Sequence, residues 1–211
     1  SPLQAQSSRQ AISCMTGALN QPGDFSAEDK ELRTNLREQL IESLVQIDSI
    51  YGDSDDESVS RSAHTLKDAS ASADELSDSA KSMVRTSVES ILQASSSLEP
   101  NSVDDLFLAY SSGLTPSVKL NNYTGGVSMI ANKKSLKNSL GLFSTAFSNN
   151  MMPLQDAHII TSRVMSSSVS RRDENSNGGD EEGTDFFALP SSDSSQGDVV
   201  IQMKKTSGSP G

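Results

Sequence analysis

Across residues 76–92 an apolar side chain returns every third or fourth position: Leu76, Ala80, Met83, Val84, Val88, Ile91 and Leu92. Ser, Asp, Lys and Glu fill most of the places between them. The period is that of an α-helix with one greasy face and one wet face. Such a helix is stable in water only when docked, so the chain must supply a partner for it. The same period recurs upstream. Leu32, Leu36, Leu40, Ile41, Leu44, Val45 and Ile47 form one broad face between a break at Pro22–Gly23 and a stop at Tyr51–Gly52. The spacing predicts that the 76–92 stripe packs on this face. The expected packing positions are Leu32, Leu36, Leu40, Leu44, Leu66, Leu76, Val84, Val88 and Ile91.

Boundary signals divide the rest. Leu3, Ile12, Met15 and Leu19 lie at near-helical spacing ahead of the first break. Ser26 with Asp29 resembles a capping box, with Asp where Glu is usual, and Ser54 with Glu57 opens a shorter helix carrying Val59, Ala63 and Leu66. "DASASADELS" reads as a loop. Pro100 and Asn101 read as the end of the 76–92 helix, Ser102 as the cap of a fifth, short helix, and Gly113 as its stop. After residue 113 the character changes. "LTPSVKLNNYTGG" holds turn residues around a short strand, and Ile130, Leu136, Leu140, Phe143 and Phe147 stripe a further helix. "AHIITSRVMSSSVSR" reads as one strand, with "FFALPSS" and "DVVIQMKK" as later strand pieces. Residues 171–185 are acidic, Gly-containing and without an apolar side chain, which predicts a disordered loop. The expected class is α+β, mainly α: an amphipathic helical bundle over 1–112, a mixed connecting region over 113–154, and a partial β region over 155–211.

Composition limits the core. Only 34% of the 211 residues are hydrophobic and 4% aromatic, with no Trp, while Ser makes up about a fifth of the chain. Leu, Ile, Val and Phe amount to about 21%, just above the level at which highly charged chains fail to fold. The net charge of −11 repels phosphate backbones and anionic headgroups, which disfavours nucleic-acid and peripheral membrane binding. No apolar run reaches the ~18–20 residues of a membrane span, so no direct membrane insertion is expected. The single cysteine, Cys14, cannot pair within the chain and reads as a small buried apolar residue rather than a reactive thiol, since no cluster of cations stands near it, with a partner outside the segment as a third alternative. "SPLQAQ" and "KKTSGSPG" read as cut ends, so the chain is expected to be a fragment of a longer protein.

Catalytic signals are few. His64 has Asp68 at i+4, a surface helix pair. His158 lies near Asp156. Two histidines and one cysteine do not make a zinc set, and no G-x-S-x-G or phosphate loop occurs. "DSDDE", from Asp53 to Glu57, lacks the Gly and distal Glu of a calcium loop and suits a helix N-terminus. No enzyme, metal or cofactor is expected. "NYT", Asn122 to Thr124, is an N-glycosylation sequon beside two glycines.

The helices also carry a resemblance. "SCMTGALNQP", "ELRTNLREQLIESLVQI" and "SVSRSAHTLKDASASADELSDSAKSMVRTSVESIL" resemble the helical segment after the egg-jelly-receptor module of polycystin-1-like proteins. The matching positions are Leu32, Arg33, Leu36 and Leu40, then Ala63 and Leu66, then Glu75, Leu76, Ser77 and Ala80. This is similar to the helical half of a GAIN domain, and the strand pieces after residue 155 are similar to the start of its β half. The family's His-Leu-Thr/Ser cleavage tripeptide is missing, since His158 is followed by Ile159, Ile160 and Thr161, so no catalytic residue is carried over. The resemblance implies a non-enzymatic segment on the extracellular side of a large membrane protein. It would act in adhesion, ligand sensing or force transmission. Its partners would be the rest of that protein and an extracellular protein or glycan. The alternative is an intracellular, acidic, Ser-rich helical adaptor regulated by phosphorylation.

Overall fold

The computed structural model describes residues 2–51, 56–95, 98–115, 138–147, 149, 158–162, 165–171, 186–189 and 199–205. Among them run helices α1 (Pro2–Leu19), α2 (Ala27–Tyr51), α3 (Asp56–Ala69), α4 (Asp78–Ala94) and α5 (Pro100–Leu114), with a 3-10 turn at Ala73–Glu75. A further helix, α6, covers 138–147. Strands β1 (His158–Thr161), β2 (Met165–Arg171), β3 (Phe186–Leu189) and β4 (Val199–Lys205) pair antiparallel in the order β1-β2-β4-β3. The class is α+β and mainly α.

Local chemistry sets the helix starts. At α2 the Ser26 backbone N–H donates to the Asp29 carboxylate at 3.2 Å, and the Asp29 N–H donates to Ser26 Oγ at 3.1 Å. Asp thus closes a reciprocal cap. The Ser26 hydrogen bonds also hold the Asp29 carboxyl below its ordinary value. Ser77 caps α4, accepting from the Ala80 N–H at 3.0 Å while its hydroxyl donates to Glu38 of α2 at 2.9 Å. Pro100 opens α5 rather than closing α4, which ends at Ala94. Proline suits the first helical position because its missing N–H would have no partner there. Ser102 is therefore not a cap. It lies buried in the first turn of α5.

The stripe of α4 docks on two partners, α2 and α5, and α5 also lies along α3. Ile41, Leu44, Leu66, Val84, Val88, Leu106, Phe107 and Tyr110 are fully buried between them. Leu76 and Ile91 are buried too, and Leu40 is half-buried at the edge. Leu32 and Leu36, expected in the core, are 57% and 39% exposed. The inward face of α2 is instead Arg37, Ile41, Leu44 and Asp48, and Leu32 and Leu36 each stand one residue, about 100°, off that line. In α1 the buried row is Ala5, Arg9, Ile12 and Thr16, which leaves Leu3, Met15 and Cys14 exposed. The expected burial of Cys14 is thus corrected: two residues from Ile12, it faces nearly the opposite way.

Other boundaries differ from the expectations. α5 runs past Gly113 to Leu114. A Cβ on Gly113 would sit 3.1 Å from the Lys81 carbonyl and 3.0 Å from Arg85 Cγ, so the glycine serves the close approach of α5 to α4. The stretch read as one strand is a hairpin, with His158 opposite Val169 and Thr161 opposite Ser166. The residues between the two strands, Ser162 to Val164, include no Gly or Pro that could have signalled a turn in the sequence. Arg171, placed in the acidic loop, is the last residue of β2 and pairs with Val199. Leu114, read as the start of a turn-and-strand stretch, is instead the last residue of α5; Ser54, the rest of that stretch over 116–126 with Asn122, Ile130, Leu136, Asp156 and residues 172–185 lie outside the described residues.

An aromatic run joins bundle to sheet. Phe143 of α6 meets Phe107 and Tyr110 edge-on, with centroids 5.5 and 5.7 Å apart, and Phe147 lies 5.9 Å from the His158 ring. On β1, Ile160 is buried in the same cluster while Ile159 points to solvent, the two-residue alternation of a half-buried strand.

Candidate functional site

The most concentrated polar chemistry lies where α1 and α3 end. "LRTNLR" places Arg33 and Arg37 one turn apart on α2, and the 3-10 turn brings Glu75 to them. Arg33 Nε and Arg37 Nε each donate to one oxygen of Glu75, both at 2.7 Å. Arg37 has no solvent exposure. It also donates to the Ala69 carbonyl at 3.2 Å, the Leu19 carbonyl at 3.1 Å and Ser72 Oγ at 3.1 Å. Arg33 shares the Leu19 carbonyl, and its guanidinium carbon stands 3.8 Å from the centroid of the Phe25 ring. Leu19 and Ala69 are the last residues of α1 and α3. Their carbonyls carry the negative end of each helix dipole, so two cations there are favourable. Burial alone would raise the Glu75 carboxyl, but the hydrogen bonds and charges of Arg33 and Arg37 outweigh it and hold it below its ordinary value.

A second clamp crosses the other end of the α1–α2 pair. Arg9 Nε and Nη2 both donate to Asp48 Oδ1, at 3.0 and 2.8 Å, and Ser62 Oγ of α3 donates to the same oxygen at 3.1 Å. Burial pushes the Asp48 carboxyl up, against the pull of Arg9 and Ser62. On α4, burial likewise pushes the Lys81 ammonium down, opposed by Asp78 and Asp74.

The histidines pair with α5. His64 Nδ1 stands 3.0 Å from Asp105 Oδ2 and its Nε2 3.4 Å from Asp68 Oδ2, with Lys67 Nζ 2.9 Å from Asp105 Oδ1. His158 Nε2 reaches Asp104 Oδ1 at 2.9 Å. That partner is 54 positions away, so local spacing could not reveal it. Tyr110 Oη donates to Ser139 Oγ at 2.8 Å, and Ser139 Oγ donates to Glu89, which ties α4, α5 and α6 together.

Each of these groups bridges at least two elements. Among the described residues, no hydroxyl is hydrogen-bonded to a histidine as a nucleophile would be. Among the described residues, no three His, Cys, Asp or Glu side chains converge as a metal site would require, and no helix is long and apolar enough to cross a membrane. The buried cations Arg9 and Arg37 could not be read from pattern, because helical periodicity counts apolar positions only. No family model matches this chain, and no curated protein and no solved structure is significantly similar to it.

Proposed function

We propose that this chain is a non-enzymatic scaffold, the helical segment and first strands of a polycystin- or egg-jelly-receptor-like ectodomain that works in adhesion, ligand sensing or force transmission. One observation carries the scaffold reading: several buried or half-buried titratable side chains join one element to another. Arg9–Asp48 ties α1 to α2, Arg33 and Arg37 tie α2 to the turn at Glu75, His64 ties α3 to α5, and His158 ties the sheet to α5. A module cross-braced in this way resists shear between its helices. The family assignment rests on the wording of α2, α3 and α4, including Glu75 and Ser77, which here form the clamp and the α4 cap. Epitope-tagging the parent protein and labelling intact cells tests the reading. Surface labelling and a glycosidase-sensitive mass at Asn122 are the expected results, and a protected, unglycosylated parent overturns it.

A second reading, an intracellular adaptor, is favoured by the exposed free thiol of Cys14, which suits a reducing compartment. The same labelling experiment decides between the two.

A further inference from the structure

We infer that His158 is a proton-operated latch: it holds the β1–β2 hairpin to α5 more tightly when its ring is charged than when it is neutral. The ring stands at the junction of sheet and bundle, with Nε2 2.9 Å from Asp104 Oδ1. Histidine is the side chain whose charge ordinarily changes between about pH 5 and 8. A neutral ring can give the carboxylate one ordinary hydrogen bond. A protonated ring gives the same bond with a full charge behind it, and such bonds are roughly twice as strong. The geometry for that gain is in place, so no rearrangement is required.

Among the described residues, one carboxylate faces His158. It is Asp104 of α5; the neighbouring Asp105 stands about 100° further round that helix, engaged by Lys67 and His64. Helix α6 carries no charged residue over 138–147 and offers Phe147, whose ring centroid is 5.9 Å away. On β2 the register sets uncharged Val169 opposite His158, with Arg171 two positions beyond. The His158 and Asp104 side chains are 41% and 28% exposed, so the ring exchanges protons with solvent while the hairpin stays docked. The same exposure keeps the gain modest.

His64 supplies the contrast. Its Nδ1 is 3.0 Å from Asp105 Oδ2 and its Nε2 3.4 Å from Asp68 Oδ2, but Lys67 Nζ lies 3.2 Å from that Nδ1 and 2.9 Å from Asp105 Oδ1. A charged ring there gains from two carboxylates and is opposed by a lysine. Helix α3 is also held by Val59, Ala63 and Leu66 in the core, so the His64 bond adds little to its docking. The hairpin has less to rely on. Among the described residues it meets the bundle through Ile160, the His158 ring and the contact of Ser162 with Ser111. With so few contacts, one bond that depends on charge changes how often the hairpin lifts. This inference concerns the junction and stands apart from the extracellular reading.

Hydrogen exchange of the full chain, read as protection relative to the intrinsic rate at each pH, tests the latch at about pH 5.5 and about pH 8. The β1 and β2 amides should be about two- to fivefold better protected at the lower pH, while amides in the middle of α2 and α4 hold one value. His158→Gln should remove the difference, and His64→Gln should leave it. Asp104→Asn keeps an oxygen to accept the bond but no charge, so it should also remove the difference. That variant decides the matter should His158→Gln lose hairpin protection altogether. Equal protection of the unsubstituted hairpin at both values overturns the inference, as does a difference that survives in Asp104→Asn or one that His64→Gln abolishes. A gain in acid shared equally by helices and hairpin overturns it too, since that is relief of the repulsion in a chain of net charge −11 and not a latch.

Discussion

Arg37 is a full positive charge closed off from water, and it survives because its planar fork finds a carboxylate, two helix-end carbonyls and a hydroxyl at once. Replacing it by Met leaves those acceptors buried without a donor. The expected loss is about 3–5 kcal/mol in urea unfolding. Arg37→Lys should recover only part of it, because an ammonium cannot reproduce the fork. The two clamps also titrate in opposite senses. Glu75 is held below its unfolded value of 4.5, so its contribution is present above that pH and is lost as pH falls through the folded pKa. Asp48 is held above its unfolded value of 3.8, so its contribution is present below that pH and is lost as pH rises through the folded pKa. Stability measured against pH should therefore show a flatter acid limb in Glu75→Gln and a steeper one in Asp48→Asn. Like responses in the two variants would refute the assignment of opposite shifts.

The element that organises the bundle is α2, and its two apolar rows separate in mutagenesis. Leu44→Ala removes a fully buried side chain and should cost about 2–5 kcal/mol, whereas Leu36→Ser should stay within about 0.5 kcal/mol. Ser77→Ala tests the start of α4. Loss of the cap on the Ala80 N–H should cost about 1 kcal/mol, read as a shift in urea midpoint with unchanged slope. These contrasts also mark what the amino-acid order could reveal. The α4 stripe, the α2 helix and the Ser26–Asp29 cap were legible because each is a local pattern of spacing or cap chemistry. Which of two neighbouring rows on α2 turns inward was not, since Leu36–Leu40 and Arg37–Ile41 share the same spacing and the deciding partner, Glu75, lies 38 residues beyond Arg37. In α1 the apolar count pointed to Leu3 and Met15, and two polar residues, Arg9 and Thr16, took the inward places instead.

At the scale of the whole molecule, the contacts between sheet and bundle among the described residues run through the edge strand β1 and Ser162 next to it. β1 gives Ile160 to the core, sets the His158 ring at a tilt beside Phe147 and bonds it to Asp104 of α5, and within the sheet it pairs with β2. The helices, by contrast, share one continuous buried cluster. Removing the His158 contact should therefore loosen the hairpin before it disturbs the bundle. In Asp104→Ala, hydrogen exchange at the β1 and β2 amides should speed by about three- to tenfold, the equivalent of a bond worth about 0.5–1.5 kcal/mol. Amides in the middle of α2 and α4 should keep their protection, because their opening requires breaking the Ile41–Leu44–Val84–Val88 core that Asp104 does not touch. A uniform loss of protection across helices and strands would mean that sheet and bundle open as one cooperative unit, and that Asp104 braces the whole rather than one edge of it.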